Sequence, residues 1–191
     1  MSGSIKVAKR ELAAADRHLR SMHECDTFED MDREWRGFLV SIEKVWKKAE
    51  RYGVSVNQGR FSQFQKPYKE FKKNSHLLSY ILQARNSDEH SIQEVVETKT
   101  NYSVIPLGFM ERTMNEPDRF IPINPGGKPM LTMPIKFELK AIENRGEVYQ
   151  PPWSENKVTG IMSPIEAATE ALHFYTEYMT KIETDFLSAS K

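Results

Sequence analysis

Hydrophobic residues recur every three or four positions over much of the first half of the chain, which is the spacing of a helix with one apolar face. Residues 4–22 follow this spacing and predict an amphipathic helix. Residues 28–53 follow it again, with Gly53 as a natural C-terminal stop and with Asp26 or Thr27 as the N-cap. The chain is therefore expected to begin with two helices.

Two further helices are expected before the pattern changes. Residues 54–60 are polar and contain a glycine, which is typical of a loop. Apolar residues then recur through residues 61–82, and Pro67 either starts or kinks the helix that they predict. Asn86 is a candidate N-cap for a short fourth helix, because Glu89 would then occupy its third position.

Beyond residue 99 the sequence changes to short β-branched and alternating segments separated by turn signals. Residues 124–127 and 144–146 are such turns, and the second is short enough to join two antiparallel strands. From Ser163 the pattern is helical again. Its cap hydroxyl, a proline at the first helical position and Glu166 at the third predict the last helix.

These elements predict the α+β class: a mainly helical bundle of about four N-terminal helices and one C-terminal helix, with a small antiparallel β meander inserted before the last helix. A length of 191 residues fits a single domain, residues 1–191. Within it we expect a helical part at 1–99, the meander at 100–162, and a C-terminal helix at 163–191 that returns to the bundle.

Composition excludes several classes of protein. Lys plus Arg and Asp plus Glu both number 27, so a polybasic mode of binding nucleic acid or membrane is excluded. The single cysteine, Cys25, and the lack of a signal-peptide pattern favour a reducing cytoplasm, and no apolar stretch is long enough to span a membrane. His18, His23 and Cys25 lack a fourth ligand, so we expect no metal and no cofactor.

Basic residues are concentrated between residues 44 and 73, which hold nine Lys or Arg against two Glu. Aromatic residues are interleaved with them, and aromatic rings beside cations are the usual means of holding single-stranded RNA. The candidate RNA-binding residues are Lys66, Lys69, Lys72, Lys73 and Tyr68. The alternative interpretation is a solvated helix face above a packed aromatic core.

The segment Arg-Asn-Ser-Asp-Glu-His at residues 85–90 is the one motif that suggests chemistry. It places a guanidinium and an imidazole five positions apart, on either side of the helix start expected at Asn86. Arginine and free helix amides attract phosphate, and histidine moves protons near neutral pH. These groups suit metal-free RNA cleavage, in which the 2′-hydroxyl attacks the adjacent phosphorus. Alternatively, Arg85 and His90 bond to neighbouring carboxylates or helix carbonyls and only stabilise the bend.

At these residues the sequence resembles the HEPN superfamily of helical proteins, which carry an Arg, four to six further residues and a His, commonly with a polar residue after the Arg. The resemblance implies a metal-independent endoribonuclease that acts as a homodimer, with two copies of the motif facing each other. It implies that Arg85 grips the scissile phosphate, that His90 is the general acid or base, and that Asn86 orients either. Asp88 is a candidate partner for His90.

A second interpretation retains the predicted fold but assigns it no catalytic activity. The same bundle would be a non-catalytic HEPN-like interaction or dimerisation module that binds another protein or a nucleotide. Its contact surface would then include the meander and Trp153, because aromatic residues on irregular segments often anchor partners.

Overall fold

The computed structural model describes residues 5–90, 96–99, 102–104, 130–132, 136–154 and 160–187. Four α-helices lie within these residues: α1 (Ile5–His23), α2 (Phe28–Asn74), α3 (His76–His90) and α4 (Pro164–Lys181), which continues as a π-helical turn (Ile182–Leu187). The described residues between α3 and α4 contain six short strands: β1 (Val96–Lys99), β2 (Tyr102–Val104), β3 (Met130–Thr132), β4 (Lys136–Leu139), β5 (Ile142–Asn144) and β6 (Glu147–Tyr149).

The chain divides into two compact units. The first comprises residues 1–97 and 137–191 and contains the four helices together with β5 and β6. The second comprises residues 98–136, in which β2 and β3 pair antiparallel with Tyr102 opposite Thr132. A mainly helical body with small strands before the last helix is the α+β class that the sequence predicts.

The strands pair in twos, β1 with β4, β2 with β3 and β5 with β6. In the β5–β6 hairpin, Asn144 lies opposite Glu147, and both turn residues have positive φ, 54° at Arg145 and 80° at Gly146. Two consecutive positive φ angles are what a two-residue hairpin turn of type I′ requires. The hairpin predicted at residues 144–146 is thus confirmed, whereas the turn predicted at residues 124–127 lies outside the described residues.

The start of α4 follows the sequence prediction closely. Ser163 is the N-cap, its hydroxyl accepts from the Glu166 amide at 3.2 Å, and the Glu166 carboxylate accepts from the Ser163 amide at 2.7 Å. This reciprocal pair satisfies two donors that a helix start otherwise leaves open. All the groups involved are close in sequence, which is why the sequence alone identified this helix.

Helix α2 continues well beyond the predicted stop at Gly53, so the loop predicted at residues 54–60 was wrong. These residues are helical apart from Asn57, whose backbone has φ −160° and ψ 103°. The Asn57 side-chain oxygen accepts from the Arg60 amide at 3.0 Å and so caps the second part of the helix. An internal cap replaces the loop, and Pro67 lies inside the helical run.

The break that the sequence did not predict lies at Ser75, between α2 and α3. Ser75 has extended backbone angles and closes α2, because its amide donates to the Phe71 carbonyl. Its hydroxyl then accepts from the Leu78 amide at 3.3 Å, at the start of α3. The separate fourth helix expected from Asn86 was wrong, since Asn86 lies within α3 and Val96 begins a strand.

The core of the first unit is an aromatic cluster between α2 and α4. Trp46 stacks on Tyr178 with ring centroids 4.8 Å apart, and Phe61 meets Phe186 edge to face at 5.1 Å. The Gln65 side-chain amide donates to the Tyr178 hydroxyl at 3.0 Å. All five side chains are buried, so the last helix belongs to the same core as α2.

Gly53 is explained by packing. A Cβ atom at this position would lie 2.1 Å from the ring of Phe61, which is fully buried. We therefore expect Gly53→Ala to lower the free energy of unfolding by about 1–3 kcal/mol, the cost of an overpacked core. Thermal unfolding followed by circular dichroism measures the change.

Gly59→Ala is the matched control for this prediction. A Cβ atom there would have Asn57 Oδ1 as its nearest neighbour at 3.8 Å, and alanine favours a helix over glycine by about 1 kcal/mol. We expect this variant to melt at the wild-type temperature or above it. An equal loss of stability in both variants would contradict the packing role of Gly53.

Candidate functional site

The motif residues lie at the C-terminal end of α3, not at the start of a helix. Arg85, Asn86 and Ser87 are helical, and the helix ends at His90. The predicted helix start at Asn86 was wrong, because the helical run from His76 continues through it. A helix C-terminus presents carbonyl groups with a partial negative charge, so the backbone here offers no attraction to phosphate. Any anion at this end would depend on side chains.

The helix fixes the angle around its axis between the two candidate catalytic residues, Arg85 and His90. Positions 85 and 90 are five residues apart on one α-helix, which corresponds to a rotation of about 140° around its axis. The side chains of Asp88 and His90 lie outside the described residues. Their predicted roles as partner and as proton-transfer group therefore stay predictions.

Arg85 is partly buried where α2, α3 and α4 meet. Its Nη1 donates to the side-chain oxygen of the adjacent Asn86 at 3.2 Å. It also lines an enclosed space, too narrow for a water molecule, together with Glu43 and Lys72 of α2 and Tyr175 of α4. The guanidinium is thus held at the edge of the bundle by its neighbour and by the packing beneath it.

Lys72, predicted to bind RNA, is largely covered beside Arg85 instead of lying on an open surface. Its side chain is 12% exposed, its Nζ lies 3.6 Å from a Glu43 carboxylate oxygen, and it sits 4.7 Å from the centroid of the Trp46 ring. Burial lowers the pKa of Lys72, and Glu43 opposes that change. Together the carboxylate and the aromatic ring compensate this cation for the loss of water.

The other predicted RNA-binding residues fall into two groups. Lys69 Nζ lies 2.7 Å from a Glu50 oxygen, and Tyr68 packs against Tyr178 with ring centroids 5.1 Å apart. Lys66, Lys69 and Lys73 are all exposed, and their spacing of three and then four residues places them on the same face of α2. The structure thus brings three of the four lysines to one surface, while Tyr68 has the contacts expected of a packed aromatic core.

Three polar residues of α3 that the sequence analysis did not single out attach this helix to the segment around β5. The Tyr80 hydroxyl donates to the Lys140 carbonyl at 2.6 Å, and the Ser87 hydroxyl donates to the Glu143 carbonyl at 3.2 Å. Between them, the Asn144 amide donates to the Gln83 side-chain oxygen at 2.7 Å. The sequence could have indicated this attachment, because the spacing of Tyr80, Gln83 and Ser87 places three polar residues on one face of a helix.

Two of the three residues considered for a metal, His18 and Cys25, have protein partners. His18 Nδ1 lies 2.8 Å from a Glu34 oxygen, and this hydrogen bond lowers the pKa of Glu34. The Cys25 thiol lies 3.2 Å from the Ser21 carbonyl, and burial raises the pKa of that thiol. Within the described ranges, no group of three or more His, Cys, Asp or Glu side chains is placed to hold a metal ion.

The fold and these contacts define a mainly helical α+β protein whose arginine-containing motif ends a helix anchored to a β-hairpin. Comparison with models of protein families, with curated proteins and with solved structures finds no match for this chain. In the part of the chain that the structure describes, no helix has an apolar stretch of the length needed to cross a membrane.

Proposed function

We propose that this protein is an HEPN-like, metal-independent endoribonuclease in which Arg85 and His90 act on an RNA phosphodiester. The observation that carries the proposal is the contact between Arg85 and Asn86, in which the amide oxygen accepts from the guanidinium at 3.2 Å. Asn86 was expected to orient either member of the motif, and this bond holds an arginine in a defined position. Preorganised donors of this kind stabilise a charged transition state most effectively.

The anchoring of α3 also supports the proposal. Ser87, within the motif, is buried and donates to the Glu143 carbonyl, and Gln83 accepts from Asn144 one turn earlier. Bonds on both sides of Arg85 fix the helix that carries the reacting groups. A catalytic group on a fixed element keeps its geometry better than one on a loop.

The proposed reaction needs no metal and no cofactor. One imidazole accepts the proton of the 2′-hydroxyl, whose oxygen attacks the adjacent phosphorus, and an imidazolium donates a proton to the departing 5′-oxygen. The products are a 2′,3′-cyclic phosphate and a 5′-hydroxyl. Arg85 would bind the non-bridging oxygens throughout. We propose that a homodimer supplies both imidazoles, one His90 from each copy.

The test is cleavage of single-stranded RNA by the full-length protein in excess chelator. We expect the wild type to cleave and Arg85→Ala to lose cleavage, because the phosphate loses its charged bidentate partner. Arg85→Lys keeps the positive charge but lacks the planar pair of donors that binds two phosphate oxygens, so we expect it to retain only part of the cleavage rate. Melting temperatures establish that both variants fold.

Arg20→Ala is the matched control for this experiment. Arg20 is an exposed arginine of α1, paired with Asp16 at 2.8 Å and outside the motif. We expect this variant to cleave RNA at the wild-type rate. If Arg85→Ala and Arg20→Ala cleave equally well, Arg85 has no part in the reaction and the proposal fails.

The second candidate function is the non-catalytic interaction module, and the hairpin region favours it. Val148 on β6 and Trp153 after it are both 62% exposed, which is unusual for large apolar side chains. Exposed aromatic residues frequently anchor protein partners. If neither the wild type nor any variant cleaves RNA, this function is the better account of the fold.

A further inference from the structure

A groove of about 470 Å³ lies between α4 and the junction of α2 with α3. Its apolar lining includes Phe71, Leu77 and Leu78 from the junction and Phe174 from α4. The volume is in the range of sites that accept bulky side chains or small ligands. The residues that line the groove belong neither to the motif at the end of α3 nor to the exposed surface that contains Val148 and Trp153.

The aromatic pair in this groove is partly open to solvent. Phe71 is 57% exposed, and its ring stacks on Phe174 with centroids 5.4 Å apart and planes 17° from parallel. Phe61 and Phe64, in the same helix, pack against Phe186 instead. Covering a partly exposed aromatic surface of this kind with a partner is favourable, because apolar area is removed from water.

The rim of the groove carries negative charge. Glu170 and Glu177 are exposed on α4, on the same face as Phe174, and none of the described residues that line the groove is a lysine or an arginine. Glu177 lies 3.4 Å from the His173 ring, whereas Glu170 has no ion-pair partner among the described residues. The two carboxylates are seven residues apart, which is about 10.5 Å along the helix. They therefore suit a partner with two cations at a matching spacing.

We propose that this groove binds an amphipathic helix of a partner protein. Two large apolar side chains of that helix fill the space beside Phe71 and Phe174, and lysine or arginine residues seven positions apart pair with Glu170 and Glu177. A helix fits because apolar residues at positions three and four lie between cations at positions zero and seven on one face. A groove between helices also offers no strand edge for an extended peptide.

The test uses a fluorescein-labelled synthetic helix of about 18 residues, a length at which isolated helices begin to form. It carries two lysines seven residues apart with two leucines between them, and alanine and glutamine elsewhere. Fluorescence anisotropy with the full-length protein measures its affinity. We expect binding, and we expect at least about tenfold weaker binding when glutamate replaces both lysines.

Two variants of the protein locate the binding site. Phe71→Ser and the double variant Glu170→Lys/Glu177→Lys should each weaken binding of the lysine peptide by about tenfold or more. The controls are Val54→Ser, which changes another exposed apolar residue of α2, and Glu24→Lys/Glu29→Lys, which reverses two exposed charges elsewhere. Both controls should bind within about twofold of the wild type. Absent binding, or an equal loss in variants and controls, overturns the proposal.

Discussion

Replacing Trp46 with alanine is expected to lower the free energy of unfolding by about 3–5 kcal/mol, the usual cost of removing a buried tryptophan. Trp46 is 7% exposed, stacks on Tyr178 and meets Tyr175 edge to face at 6.4 Å. Its removal also takes the aromatic face away from the part-buried Lys72 cation, which lies 4.7 Å from the ring centroid. Urea unfolding followed by circular dichroism gives the value.

Trp153→Ala makes the same chemical change at a site that is 62% exposed. Because little apolar surface is buried there, we expect a loss below about 1 kcal/mol. Similar losses in the two variants would mean that the cluster between α2 and α4 is not the stabilising core of the bundle.

His90→Ala is expected to reduce the rate of RNA cleavage by about 10²–10⁴-fold, the usual contribution of a general acid or base. The imidazole is the one group of the motif that transfers protons near neutral pH. His23→Ala is the matched control, since His23 is an exposed histidine in the last turn of α1. We expect the control to keep the full rate.

The pH dependence of cleavage gives a second measurement on the same residue. If one His90 accepts a proton and the partner copy's His90 donates one, the rate passes through a maximum near neutral pH and falls on both sides. A rate that is unchanged in His90→Ala, or a profile that the variant shares with the wild type, would exclude proton transfer by this residue.

The elements that the sequence predicted well are those whose determinants are local. Ser163 and Glu166 bond to each other across one turn, and Arg145 and Gly146 supply both positive φ angles of the hairpin. In each case the residues that decide the structure are adjacent along the chain. The class of fold followed from the order of these elements.

The course of α2 shows why the rest could not be predicted. Residues 54–60 are mostly polar and precede an apolar segment, as a loop would. The backbone nevertheless departs from helical geometry at Asn57 alone, and the side chain of that residue caps the second part of the helix. Gly53 has the residue type of a helix stop, but its reason is the Phe61 ring packed against it. That contact depends on the angle at which the two parts of the helix meet, which the hydrophobic pattern does not specify.

The burial of charged residues in the candidate site could not be predicted from the sequence either. The four lysines at positions 66, 69, 72 and 73 look alike in a run of basic residues. Lys72 is nevertheless largely covered by Glu43 and Trp46, while the other three are exposed. The difference depends on where α3 and α4 pack on α2. Arg85 was likewise expected at a helix start, because nothing local reveals that α3 continues to His90.

The most direct test of the proposed ribonuclease mechanism compares the cleavage of two RNA substrates that differ by one oxygen atom. In the second substrate a 2′-deoxy sugar replaces the ribose on the 5′ side of the scissile phosphate, so the internal nucleophile is absent. In excess chelator, the proposed mechanism predicts cleavage of the all-ribose substrate to a 2′,3′-cyclic phosphate. It predicts no cleavage at the phosphate that follows the 2′-deoxy sugar. Equal cleavage of both substrates, or cleavage that requires added Mg²⁺, would contradict it.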